Sequence, residues 1–180
     1  GVFIQGNYAI AHIKSFKGIS SYNLYTIDSV SIFPQKVTGY DEATGLIRFS
    51  FIINGKTSMA GATLSKSRIN ANSDVTVVKP MGISTREITQ VKTVAGKDIP
   101  GYGPFMTINN ENGTSPDASS AFNEDNTLSG ITLPGEDKNK GIDLVLLTSW
   151  FSRLKTTDYD FAEFIKTSGR EWNNYFDKAI

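Results

Sequence analysis

The chain has 180 residues, with 18 Lys+Arg against 18 Asp+Glu, one His and no Cys, so its formal charge at neutral pH is zero. That balance removes the bulk attraction to a phosphate backbone, and no nucleic-acid partner is expected. The missing cysteines exclude disulfides, thiolate metal sites and a cysteine nucleophile, and no run approaches the ~20 apolar residues of a membrane-spanning helix.

A hydrophobic content of 39% with 11% aromatics points to a packed core rather than disorder. The length reads as one domain, residues 1–180, in three parts: a β-rich scaffold over 1–98, a long loop over 99–141 and a helical tail over 142–180. The sequence opens at Gly1 without a charged and apolar leader pattern, as expected of a processed or trimmed terminus. The tripeptide Asn112-Gly113-Thr114 fits a glycosylation sequon, but such matches arise often by chance.

Val2 to Phe16 and Tyr22 to Val37 are rich in β-branched and aromatic residues and read as strands, with Pro34 marking an edge, a bulge or a strand end. His12 sits in the alternating run Ala9-Ile10-Ala11-His12-Ile13, where its parity places it on the more polar face as an exposed or hydrogen-bonded side chain. Gly39 to Gly45 forms a polar turn framed by two glycines. It leads into Leu46 to Ile53, where Ile47, Phe49, Phe51 and Ile53 share one face. Asn54-Gly55 then carries the chemistry of a two-residue hairpin turn, which would pair Phe51 with Ser58 in an antiparallel meander. That turn also accounts for Gly55-Lys56-Thr57, since the earlier glycine of a phosphate-binding loop would fall at Ser50.

Val75 to Val78 predicts a short strand ended by Pro80. Over 84–95 two readings stand: Ser84 and Glu87 fit a helical capping box, while the Thr and Val content fits a strand. The loop over 99–141 is dominated by Gly, Asn, Asp, Ser and Pro, and Tyr102 with Phe105 are its candidates for ligand or partner contact. Asp137, Asn139 and Asp143 space oxygen ligands at short intervals, a weak calcium pattern with two intervening lysines and no closing Glu. No other cofactor is expected.

From Ile142 the spacing of Leu144, Leu147, Phe151 and Leu154 predicts a helix. Thr157 and Asp160 predict a second helical start, followed by Phe161, Phe164 and Ile165, and Ser168 to Glu171 form another capping box. Asp158, Asp160 and Glu163 could host acid–base chemistry, although acids in a first turn more often complement the helix dipole. Trp150, Trp172 and Tyr175 add aromatic contact candidates in the tail.

Strands first and helices last predict an α+β fold, with an antiparallel meander, sandwich or barrel-like sheet over the N-terminal two-thirds and helices packed on one face or end. A solitary His and no Cys leave hydrolytic and redox templates little to work with. The expectation is therefore a non-enzymatic structural or assembly protein, a virion or cell-surface component. Its partners would be protein subunits in a homo- or hetero-oligomer, met through the loop and the aromatic tail. The alternatives are an extracellular carbohydrate- or small-ligand-binding module and an acid-based hydrolase.

Overall fold

Alternating apolar residues become strands throughout the computed structural model, which describes residues 1–16, 21–26, 28–53, 60–96, 98–99, 103–104, 106–109, 118–133 and 141–167. The strands in chain order are β1 (Val2–Ile4), β2 (Tyr8–His12), β3 (Leu24–Tyr25), β4 (Ser31–Asp41), β5 (Leu46–Ile53), β6 (Asp74–Pro80) and β7 (Arg86–Val94). They continue with β8 (Asp98–Ile99), β9 (Gly103–Pro104), β10 (Met106–Ile108), β11 (Ser120–Phe122), β12 (Leu128–Thr132), β13 (Ile142–Leu146) and β14 (Lys155–Asp160). A 3-10 turn covers Ile13–Phe16, helix α1 covers Leu147–Arg153, and a second helix, α2, covers residues 161–167. The architecture is the expected α+β fold with a barrel-like sheet.

The chain divides into two compact units, one of Phe3–Gly61 with Leu154–Ile180, the other of Ala62–Arg153 with Gly1–Val2. In the first, a sheet runs β1-β2-β5-β4-β14, with β3 added to β4. The two-residue period of β5 holds as read: Ile47, Phe49, Phe51 and Ile53 are all buried, while Arg48 turns outward over the Tyr8 ring. Pro34 lies at a bulge, where the β4–β5 register shifts between Pro34 and Lys36. Both sides of β5 are taken, by β2 and β4. The Asn54-Gly55 turn and its expected partner residues lie outside the described residues.

Helix α2 closes this core from one side. Asp160 caps it, its Oδ1 accepting from the Glu163 amide at 3.0 Å, three residues later than the expected start at Thr157. Thr157, the expected start of this helix, lies in β14 and donates its hydroxyl to the Val37 carbonyl. Phe161 of α2 is 1% exposed and meets the rings of Phe16, Tyr22 and Phe49.

The second unit is a closed barrel in the order β10-β13-β12-β11-β6-β7, all antiparallel, around Ile69, Val75, Met106, Ile108, Ala121, Leu144 and Leu146. The open choice over 84–95 resolves as strand, because β7 pairs with β6 from Arg86 to Lys92. The expected helix over 142–154 is corrected: residues 142–146 form β13, flanked by β10 and β12, and only 147–153 are helical. A short apolar run fits either period, and barrel closure decides between them.

Truncating Phe161 to Ala removes the hub of the aromatic cluster, and we expect a loss of about 3–5 kcal/mol in chemical denaturation. A loss below about 1 kcal/mol would mean that α2 contributes little to this core.

Candidate functional site

His12 is the sole imidazole in the chain, so any chemistry that needs one must use it. It ends β2, pairs with Leu46 of β5, and is only 4% exposed. Reading it on the more polar face missed this burial. Alternation distinguishes the two faces of a strand but does not say what covers each.

The ring is held by the backbone. Nδ1 accepts from the Lys14 amide at 3.1 Å, so in the neutral ring the proton sits on Nε2. A further hydrogen bond joins the ring to the Thr44 backbone. Burial pushes the pKa of His12 from 6.5 down to about 4; the nearby Lys14 charge adds to the fall and the Thr44 bond opposes it.

The turn that faces His12 is built by Asp41 and Thr44. Asp41 is buried; its Oδ1 accepts from the Ala43 amide and its Oδ2 from the Thr44 hydroxyl at 2.8 Å. The Gly45 amide bonds back to the Asp41 carbonyl, and the Gly45 carbonyl receives the Ile13 amide. Gly45 adopts φ +70, and a Cβ on it would lie 2.7 Å from His12 Nε2. Only glycine meets both conditions. This polar turn was visible in the sequence, but nothing in its composition tied it to His12.

In the barrel unit, Ala118, Ser119 and Ser120 lead into β11 and are all buried. The Ser119 amide donates to Thr132 Oγ1, and the Thr132 amide donates to the Ser119 carbonyl, both at 2.9 Å. Ser120 sits between Val78 of β6 and Ile131 of β12.

The other candidates scatter. Trp150 of α1 is fully buried, so it belongs to packing rather than to an exposed contact surface. Asp143 is exposed in β13 and not at a helix start, its carbonyl accepting from the Leu133 amide. Asp158 pairs with Lys36 at 2.9 Å, Asp160 caps α2, and Glu163 reaches Lys166; all three groups are solvent-facing. Tyr102, Phe105, Asp137, Asn139, Trp172 and Tyr175 lie outside the described residues. Among the described residues no group of three or more His, Asp or Glu could hold a metal, and no helix is long and apolar enough to cross a membrane.

No family model matches the chain, and no curated protein matches it. Solved structures do. An inactive serine-to-alanine mutant of Rv3671c from M. tuberculosis H37Rv superposes with a TM-score of 0.60 at 11% identity, over 84% of this chain and 77% of that one. The HtrA-type protease AlgW with a decapeptide gives 0.62 at 17% identity, over 93% of this chain. The match takes in about half of AlgW, 51% of its length.

The fold is similar to that of Rv3671c and of the HtrA-type protease AlgW. This overturns the expectation of a virion or cell-surface assembly protein, together with its carbohydrate-binding and acid-hydrolase alternatives. The composition behind those readings was real, but strand content and scarce nucleophiles do not distinguish a structural sandwich from a protease-type barrel.

The imidazole has a thermodynamic consequence. The unfolded chain takes up the His12 proton near pH 6.5 and the folded chain only near 4, so the unfolded state binds more protons in between. Stability should rise by about 3 kcal/mol as pH climbs from about 4 to about 6.5, and this contribution should be flat above. Urea denaturation of wild type and His12→Gln across that range isolates the effect. A wild-type slope that persists unchanged in the variant would contradict it. Gly45→Ala should destabilise by at least about 1–3 kcal/mol at every pH, from backbone strain and the contact with Nε2.

Proposed function

We propose that this chain uses a serine-protease-type fold to bind polypeptide, without the histidine-assisted hydrolysis that such folds support. The carrying observation is the state of His12. A Ser-His-Asp triad needs Nδ1–H held by a carboxylate and a bare Nε2 to take the serine proton. His12 has the reverse arrangement, with Nδ1 accepting a backbone N–H. The nearest turn offers Gly45 to the ring, and the buried carboxylate of that turn, Asp41, is occupied by Ala43 and Thr44.

The depressed pKa points the same way. A general base works best with a pKa near the operating pH, and a base near 4 gives little driving force for taking a proton from serine at neutral pH. The polypeptide side of the reading draws on the neighbouring fold, since AlgW was solved with a decapeptide. Fold and chemistry are separable, so a chain of this fold can bind polypeptide without the proton-transfer machinery.

Two assays on the intact chain test this. Fluorophosphonate labelling and cleavage of fluorogenic casein should give no signal above that of the His12→Ala variant. Unfolded casein, labelled with fluorescein, should bind in anisotropy titrations and be recovered uncut. Labelling or cleavage that disappears in His12→Ala would show a working base and overturn the non-hydrolytic reading. Failure to bind casein would overturn the polypeptide reading.

A further inference from the structure

The β6–β7 hairpin extends past the rest of the barrel. Strand β11 covers β6 only at Thr76–Val78, and β10 covers β7 only at Thr93–Val94. Among the described residues, the remainder of β7, Arg86 to Lys92, pairs with β6 alone.

The register shows which backbone groups this leaves pointing outward. The Thr93 amide donates to the Ser73 carbonyl, and the Met81 amide to the Thr85 carbonyl. Narrow hydrogen-bonded pairs recur every second residue in an antiparallel ladder, so Glu87, Thr89 and Val91 spend their amides and carbonyls on β6. Arg86, Ile88, Gln90 and Lys92 turn theirs the other way; the register of β10 takes up the Lys92 carbonyl, and no strand among the described residues receives the rest. Their side chains share one face and are exposed, Ile88 at 56%.

We propose that this edge of β7 is a strand-addition site for an extended polypeptide that places an apolar residue opposite Ile88 and carboxylates opposite Arg86 and Lys92. It rests on the polypeptide-binding reading above and gives it a location and a ligand chemistry. Backbone groups facing outward at every second residue match the repeat of an extended peptide, which supplies affinity through main-chain bonds and specificity through alternate side chains. The two cations stand six residues apart, about 20 Å along a strand. Lys92 is already paired with Asp74 at 3.0 Å, but both groups are more than half exposed, so the pair is weak and can admit a second carboxylate.

The same charges argue against a second copy as the occupant. Two β7 edges in antiparallel register over this stretch would set Arg86 opposite Lys92 twice, and like charges directly opposite are destabilising. A protein edge guarded by cations resists its own kind and accepts an acidic strand.

The test uses a fluorescein-labelled peptide with the core Glu-Thr-Thr-Thr-Val-Thr-Glu and a control with Lys at both Glu positions, titrated against the full chain. The acidic peptide should bind at least about tenfold more tightly than the control. Gln90→Pro removes an outward amide without touching the β6 ladder, because proline is tolerated where the N–H faces solvent. It should weaken the acidic peptide by about tenfold while leaving circular dichroism and Tm unchanged. The double variant Arg86→Glu with Lys92→Glu should reverse the peptide preference, and it serves as the test if Gln90→Pro fails to fold.

Wild-type affinity in folded Gln90→Pro, equal binding of both peptides, or binding of neither would overturn the site. So would a dimer in sedimentation velocity that Gln90→Pro dissolves. Casein bound equally by wild type and Gln90→Pro would sink this site and leave polypeptide binding standing. Cleavage of the bound peptide would sink the non-hydrolytic reading and leave the site.

Discussion

The Lys14 amide donates to Nδ1 of His12 across 3.1 Å, and that bond fixes where the imidazole can hold a proton. A backbone donor at Nδ1 takes the place that a carboxylate acceptor would need. The proton then belongs on Nε2, where a base would need a lone pair. Burial reinforces the arrangement by disfavouring the charged ring. Tautomer, solvation and backbone pairing therefore act in the same direction, toward a neutral imidazole used for packing.

The same imidazole ties two parts of its unit together. The Ile13 amide reaches the Gly45 carbonyl, Gly45 closes back on Asp41, and Thr44 spends its hydroxyl on Asp41 while receiving the Leu46 amide. The end of β2 and the β4–β5 turn are thus locked through short polar contacts that surround one ring. Gly45 is the residue that makes this fit, since any side chain there would meet both the ring and a strained backbone. The buried carboxylate of Asp41 is satisfied inside its own turn, which is why burying it is tolerable.

Much of the fold was legible because β-strands write their faces into sequence. Ile47, Phe49, Phe51 and Ile53 declare a buried face at a glance, whereas the second helix starts at Asp160 and not at Thr157, which strand pairing with β4 claims. Where an apolar run was short, as over 142–146, local pattern had no way to choose between helix and strand. Pairing with β10 and β12, which are distant in sequence, made the choice. The site was less legible still. A lone histidine with small neighbours carries no periodic signal, and Gly45 acquires its role only through the folded approach of the turn to the ring. The mistaken functional class has the same origin, since closure into a barrel is a property of register between distant strands.

Closure also explains why one edge stands out. A closed barrel consumes its strand edges, yet among the described residues β7 outruns its neighbour β10 and keeps a row of backbone groups and two cations facing outward. The locked imidazole and the open edge are the two features on which the proposal of binding without cutting rests. The most direct check is the imidazole itself, followed by 15N–1H NMR of ring-labelled protein from pH 3.5 to 8. The account predicts an Nε2–H tautomer that stays neutral down to about pH 4. An Nδ1–H tautomer that titrates near its ordinary value, about 6.5, would contradict it.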